Sequence, residues 1–240
     1  MISHKHKFIM IHMHKSGGGG IWPMFPTNGT AVQGYDPRED IDNLPTGAFH
    51  HTAEMGKAFY GDELWNEYTK FTIVRNTWSQ KVGSYEHTRR NGSYHGVHPK
   101  YSQKNFLNWL KNFKMLKGKT ETVIDYHDLN QFDWLTIDGE MSMDYIIRFE
   151  NFQEDWNELA ISLGIPEPHE LHWGGHHENT YTYPEAYGFK TNSVGLDYSK
   201  YYIEEAKNYV RGRWKKDMDY FGFEFMKNNY NTGTYGWINK

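Results

Sequence analysis

Four consecutive glycines, Gly17–Gly20, follow the apolar run "FIMIHM" and the residues His14, Lys15 and Ser16. No other feature limits the fold so sharply. A glycine run costs backbone entropy on folding, so it belongs where bare backbone is required. A short apolar run ended by glycines reads as a buried strand entering a turn, here "KFIMIHM" over 7–13. Strand, glycine turn and short helix together make a phosphate-binding layout. Glycines let backbone N–H groups converge on an anion, and the helix N-terminus adds partial positive charge. Lys15 contributes a full charge to such a site and Ser16 a donor. In a Walker A loop the lysine follows the glycines, whereas here it precedes them. The same residues also read as a flexible turn with a solvated lysine.

A second buried strand, "KFTIVR" over 70–75, sets Arg75 at its carboxyl end. Open α/β sheets bind ligands at that edge. An arginine there clamps a phosphate with two hydrogen bonds, or closes a strand-end salt bridge. Helical periodicity extends on both sides of Gly61, from about Ser79 to Arg90, and over 102–113 with Phe106, Leu107, Leu110 and Phe113 on one side. Asp138-Gly139 marks a hairpin. Asn151 with Glu154 resembles a capping box, and Gly164 and Pro166 mark that helix's end. A last long helix carries Ile203, Ala206, Val210, Trp214, Met218 and Phe221 at core spacing. Residues 21–47 and 91–101 read as loops, and the tail after Phe225 as polar and frayed. Strands alternating with helices over 240 residues predict one α/β domain, ordered over about 7–225: a three-layer sandwich around a mainly parallel sheet.

Aromatics make up 17% of the chain, a weight that suits a packed globule and also supplies surfaces for stacking on sugars. The formal net charge of −4 gives no bulk grip on nucleic acid, so an anionic ligand must be held by local charge and backbone amides. The absence of cysteine excludes disulfides and thiolate catalysis and fits a reducing compartment. The N-terminal apolar stretch is too short and too rich in histidine for a signal peptide, and no run reaches the length of a membrane span. The expectation is a cytoplasmic protein with no membrane partner.

Four segments resemble the PAPS-dependent sulfotransferases, in particular the carbohydrate type. "MHKSGGGGIW" resembles the P-K-T-G-G loop that holds the 5′-phosphosulfate. "FTIVRNTWSQKVGSYEH" resembles the segment that holds the 3′-phosphate. "QFDWLTIDGEMSMDYIIRFEN" with "DWNELAISLGIP", and then "YYIEEAKNYVRGRWKKDMDYFGFEF", resemble the family's later motifs in the right order, so the likeness spans about residues 8–225. The resemblance implies a P-loop-like sulfotransferase fold and transfer of a sulfuryl group from PAPS to an acceptor hydroxyl, here on a carbohydrate, with PAP as product and no metal. It makes Lys15 the cation that stabilises the leaving phosphate. It makes His51, with His50 as substitute, the general base, a role suited to histidine's pKa. Ser16, Gly17, Gly18, Gly19, Gly20, Arg75, Gly83 and Ser84 become the donor-binding positions.

The chain departs from the family at both phosphate motifs. His14 replaces the proline, and Gly19 and Gly20 replace the two hydroxyl residues after the glycines. The family serine falls at Gly83, with Ser84 one residue later and so rotated by about 100° on a helix. Thr77 replaces a proline and Gln80 the second arginine. These changes favour, as an alternative, a non-catalytic nucleotide- or glycan-binding relative; an NTP-dependent kinase built on the same layout is a further alternative, opposed by the lysine-first order and the missing Walker motif. His4, His6, His12 and His14 share one face if the first strand is continuous, but only neighbouring pairs are close enough to share an ion, since the ends lie about 33 Å apart. His169, His172, His176 and His177 read as surface or substrate-loop histidines, Arg148 and Glu150 as a strand-end ion pair, and Lys190 as solvated. Trp22, Trp173 and Tyr94 are candidates to stack on an acceptor sugar.

Overall fold

The computed structural model describes residues 1–21, 41–42, 50–91, 101–112, 129–167, 197–227 and 233–238. Strands β1 (Ile2–Ser3) and β2 (Phe8–Ile11) form a hairpin, and β3 (Ile41–Asp42) pairs antiparallel with β1. β4 (Thr69–Val74) runs parallel to β2. β5 (Thr136–Ile137) and β6 (Glu140–Met141) make a separate small hairpin. β7 (Tyr145–Arg148) lies parallel to β4, and β8 (Gly236–Trp237) pairs antiparallel with β7. Six described strands thus form one sheet in the order β3-β1-β2-β4-β7-β8. The sheet is mixed: β2, β4 and β7 run parallel, as the sequence led us to expect, and the two-residue strands at the flanks do not.

Side-chain alternation decides the layers. Phe8 and Met10, Phe71 and Ile73, and Tyr145 and Ile147 pack into one core with Phe152, Trp156 and Leu159 of the helix Phe152–Ser162. Ile9 and Ile11, Val74 and Ile146 belong to a second core. There they meet α1 (Ala53–Glu67), α2 (Thr77–Asn91), α3 (Gln103–Asn112) and α4 (Gln131–Leu135). With the helix Phe152–Ser162 as α5, the helices α6 (Glu204–Arg213) and α7 (Lys215–Phe221) complete that second face. Helices therefore cover both faces of an α/β sheet. Burial on both sides explains why the parallel strands read as unbroken apolar runs. No described helix is long and apolar enough to cross a membrane.

Several elements follow their sequence signals. Asp138 (φ 52) and Gly139 (φ 83) form the tight turn between β5 and β6. Gly61, at φ 83 and ψ 160, kinks α1 at the position where the helical pattern is interrupted. Phe106 and Leu110 of α3 are buried as expected, Trp109 joins them, and Phe113 lies outside the described residues.

Other elements depart from the expectation. The first strand is not continuous. The chain turns at residues 4–7 with Lys7 at φ 48, so His4 and His6 sit on the turn, while His12 and His14 lie beyond the end of β2. The long last helix breaks at Trp214 (φ −112, ψ 41), two residues after Gly212, and the break seats the Trp214 indole in the core. Ile203 caps α6 and is 36% exposed, so it is not a core residue. Asn151 forms no capping box: its amide donates to Asp155 Oδ1 at 2.9 Å. Asp155 is held there by Arg148, whose Nη2 lies 2.5 Å from Oδ1, so the partners of Arg148 include Asp155 of α5, while Glu150 accepts from the Asn76 N–H. The tail is not frayed over 233–238, since β8 covers the edge of β7.

Candidate functional site

The carboxyl ends of β2 and β4 are neighbours because those strands pair in parallel. Everything the sequence proposes for phosphate binding that falls on described residues therefore gathers at one edge. Beyond β2 the chain turns sharply, with Lys15 at φ 56 and Gly17 at φ 103, and Gly18–Gly20 forms a single 3-10 turn. Left-handed backbone at a lysine is strained. Sterics demand glycine at two positions. A Cβ on Gly17 would lie 2.6 Å from the Phe149 ring, and one on Gly18 only 2.3 Å from the His12 ring. The Gly20 N–H donates to the Gly17 carbonyl at 2.9 Å and closes the turn. Ser16 is buried, and its hydroxyl donates to the Met13 carbonyl at 2.9 Å, which ties the turn to the strand end.

Arg75 is 2% exposed at the end of β4. Its Nε donates to Ser79 Oγ at 2.9 Å, and its Nη1 donates to the Lys15 carbonyl at 3.2 Å. The guanidinium lies over the Phe149 ring, with Cζ 4.1 Å from its centroid. A Cβ on Gly83 would approach Arg75 Nη1 at 3.2 Å, so position 83 faces the guanidinium. Ser84 is also buried and lines a cavity of about 10 Å³ together with His14, Gln80, Lys81 and Trp134. That volume is near the minimum for one water molecule. Gln80 Nε2 donates to the His14 carbonyl at 2.9 Å, while its Oε1 is buried without a partner among the described residues.

The two candidate bases differ in environment. His51 is 1% exposed, and both its ring nitrogens are buried without a partner among the described residues. Burial pushes its pKa down to about 3, with the Met1 amino group and His50 adding to the effect. His50 is half-buried. Its Nδ1 lies 3.1 Å from the His12 carbonyl. A carbonyl only accepts, so Nδ1 carries the hydrogen and Nε2 the lone pair. Burial and then Lys15 lower the His50 pKa, and the bond to the His12 carbonyl opposes them. The His50 ring sits between His14, 3.7 Å away between centroids, and His12, 4.5 Å away.

Residues that the sequence reading left without a role lock this edge in place. The Gln131 amide brackets Arg75: Oε1 accepts from the Arg75 N–H at 3.0 Å, and Nε2 donates to its carbonyl at 2.7 Å. Gln131 also donates to Thr77 Oγ1, which donates to buried Asp217. Burial raises the Asp217 pKa to about 6. Asn76 donates to the carbonyls of Glu224 and Lys227 and fixes the C-terminal turn, while its own N–H is accepted by Glu150. Gln131 opens the motif "QFDW", but nothing in its spacing links it to residue 75. Trp22, Tyr94, His169, His172, Trp173, His176, His177 and Lys190 lie outside the described residues. No protein-family model, curated protein or solved structure matches the chain.

Proposed function

We propose that this chain is a sulfotransferase with a P-loop-like sulfotransferase fold, transferring a sulfuryl group from PAPS to an acceptor hydroxyl on a carbohydrate. One observation carries the reading. The Arg75 guanidinium and the Lys15 backbone, 60 residues apart in the chain, are joined by a hydrogen bond at the carboxyl ends of adjacent parallel strands. In this reading Lys15 faces the bridging oxygen of the leaving phosphate and stabilises the charge that develops there. Arg75 Nη1 exchanges the Lys15 carbonyl for a 3′-phosphate oxygen. The bond from sulfur to the phosphate oxygen breaks in line as the bond from the acceptor oxygen forms. His50 Nε2 accepts the acceptor's proton. His50 takes precedence over His51 here, because His51 has both nitrogens in the core.

A second reading, a non-catalytic relative that binds PAP without transfer, is supported by the Ser16 hydroxyl, which is engaged by the turn itself. Calorimetry with PAP tests the first step common to both. The expected result is binding that Lys15→Ala and Arg75→Ala each weaken by about tenfold or more. Lys15→Ala is the cleaner variant, since Arg75 is also part of the core. No binding of PAP to the wild-type chain overturns both readings. A mass-spectrometric screen of carbohydrate acceptors then separates them, and transfer lost in His50→Gln supports the enzyme.

A further inference from the structure

Resting on the anion-site reading above, we propose that the clustered imidazoles of His12, His50 and His14 form a protonatable arm of that site, taking up a proton from solvent when a phosphate or sulfate ester docks on the Lys15–Gly20 turn. Geometry places the cluster against the turn. The His12 ring fills the space where a Gly18 side chain would stand, and His14 directly precedes Lys15. His50 bridges the two, at 4.5 Å and 3.7 Å between centroids. The Nδ1 bond to the His12 carbonyl leaves Nε2 of His50 as the proton acceptor.

The charges around the cluster share one sign. From the end of β2 come Lys15 and the rings themselves. His51 from the segment before α1 and the Met1 amino group ahead of β1 also face the cluster, but burial lowers them to about 3 and about 5, so both are neutral at pH 6.5. From β4, Arg75 reaches the Lys15 carbonyl, and from α2, Lys81 lines the cavity shared with His14. Burial first, then the neighbouring imidazoles and Lys15, keeps His12 below the ordinary histidine range, and burial with Lys15 does the same for His50. A dianion on the turn reverses that balance and favours the imidazolium. Two imidazolium rings this close repel, so uptake is limited to about one proton per ligand. Only the unprotonated fraction of His50 can serve as the base of the proposed transfer, so proton uptake and catalysis compete for Nε2.

The test is proton-linked calorimetry of the full chain with PAP, at pH 6.5 in two buffers of different ionisation heat. Uptake of a measurable fraction of a proton, up to about one, is expected, with affinity falling by up to about tenfold per pH unit toward alkaline pH. His14→Gln and His50→Gln should each reduce the uptake and flatten the pH dependence. PAP phosphates themselves titrate nearby, so histidine NMR titrations are repeated with sulfate, which carries no proton in this range. At least one midpoint should move upward by about one unit. Binding of PAP with unmoved histidine midpoints overturns the arm and leaves the donor reading standing. Absence of binding by both PAP and sulfate overturns the two together. The wild-type chain alone decides, so a variant that fails to fold leaves the test intact.

Discussion

At the scale of single residues, buried polar groups set the most direct consequences. Asp217 has no exposed surface and ties α7 to Thr77 of α2 and to the Phe132 N–H of α4. Its folded pKa of about 6 stands above the unfolded value of 3.8, so the folded chain binds the extra proton between those values. The stability this group confers is therefore full below pH 3.8 and is lost as pH rises through 6, a swing of about 3 kcal/mol. Asp217→Asn removes the titration. Urea unfolding of both proteins from pH 4 to pH 8 should show the variant gaining on the wild type as pH rises. A pH-independent difference would mean that the carboxyl is ionised throughout. The difference between the two proteins cancels the histidines, which titrate in both. The closing-helix resemblance spans Asp217, but nothing local in "KKDMD" foretells that this carboxyl is buried. Its burial arises only when α7 packs against α4 and brings the carboxyl to Thr77 at the start of α2. Lys15 and Arg75 were legible, by contrast, since a charged residue at the end of a buried apolar run has few other places to go.

At the scale of elements, legibility tracked whether the chain carries a local conformational marker. Asp138-Gly139 and Gly61 both supply backbone that L-residues avoid, and both elements form where those residues predicted. The turn between β1 and β2 uses Lys7 at φ 48 and contains no glycine, so it left no mark, and two strands read as one. The capping box failed for a different reason: Asp155, placed to neutralise Arg148, competes for the Asn151 amide. The Gly61 kink gives a clean measurement. Its φ and ψ lie in a region open essentially only to glycine, and an added Cβ would meet nothing within 4 Å. Gly61→Ala therefore tests the backbone alone and should cost about 1–3 kcal/mol. Denaturant unfolding with an unchanged slope is the expected form of that loss. If stability is unaffected, α1 runs straight through residue 61.

At the scale of the whole molecule, the sheet is closed by the part of the chain that looked least structured. β7 is the last of the parallel strands and would otherwise offer an unpaired edge, a template for aggregation. β8 covers it from 92 residues further along, with Tyr145 opposite Trp237. The Trp237 ring meets Tyr145 edge-on at 5.2 Å, and Tyr235 lies under the Arg148 guanidinium at 4.2 Å. Two residues of strand carry little sequence signal, and a polar tail dotted with glycine and asparagine reads as loop. The pairing is decided by what β7 exposes, which no local pattern in the tail records. The same logic explains the candidate site. The rule for parallel sheets foretold which edge would gather Lys15 and Arg75, whereas their hydrogen bond depends on a register that only the assembled sheet fixes. If β8 is an integral strand, Trp237→Ala removes an aromatic pair and part of its burial, about 1–2 kcal/mol. For a chain of this length that corresponds to a melting midpoint lower by about 2–8 °C. Limited proteolysis should then cut the variant near residues 233–238 before any other described segment. An unchanged midpoint and an unchanged cleavage pattern would show that β7 keeps its edge without the tail.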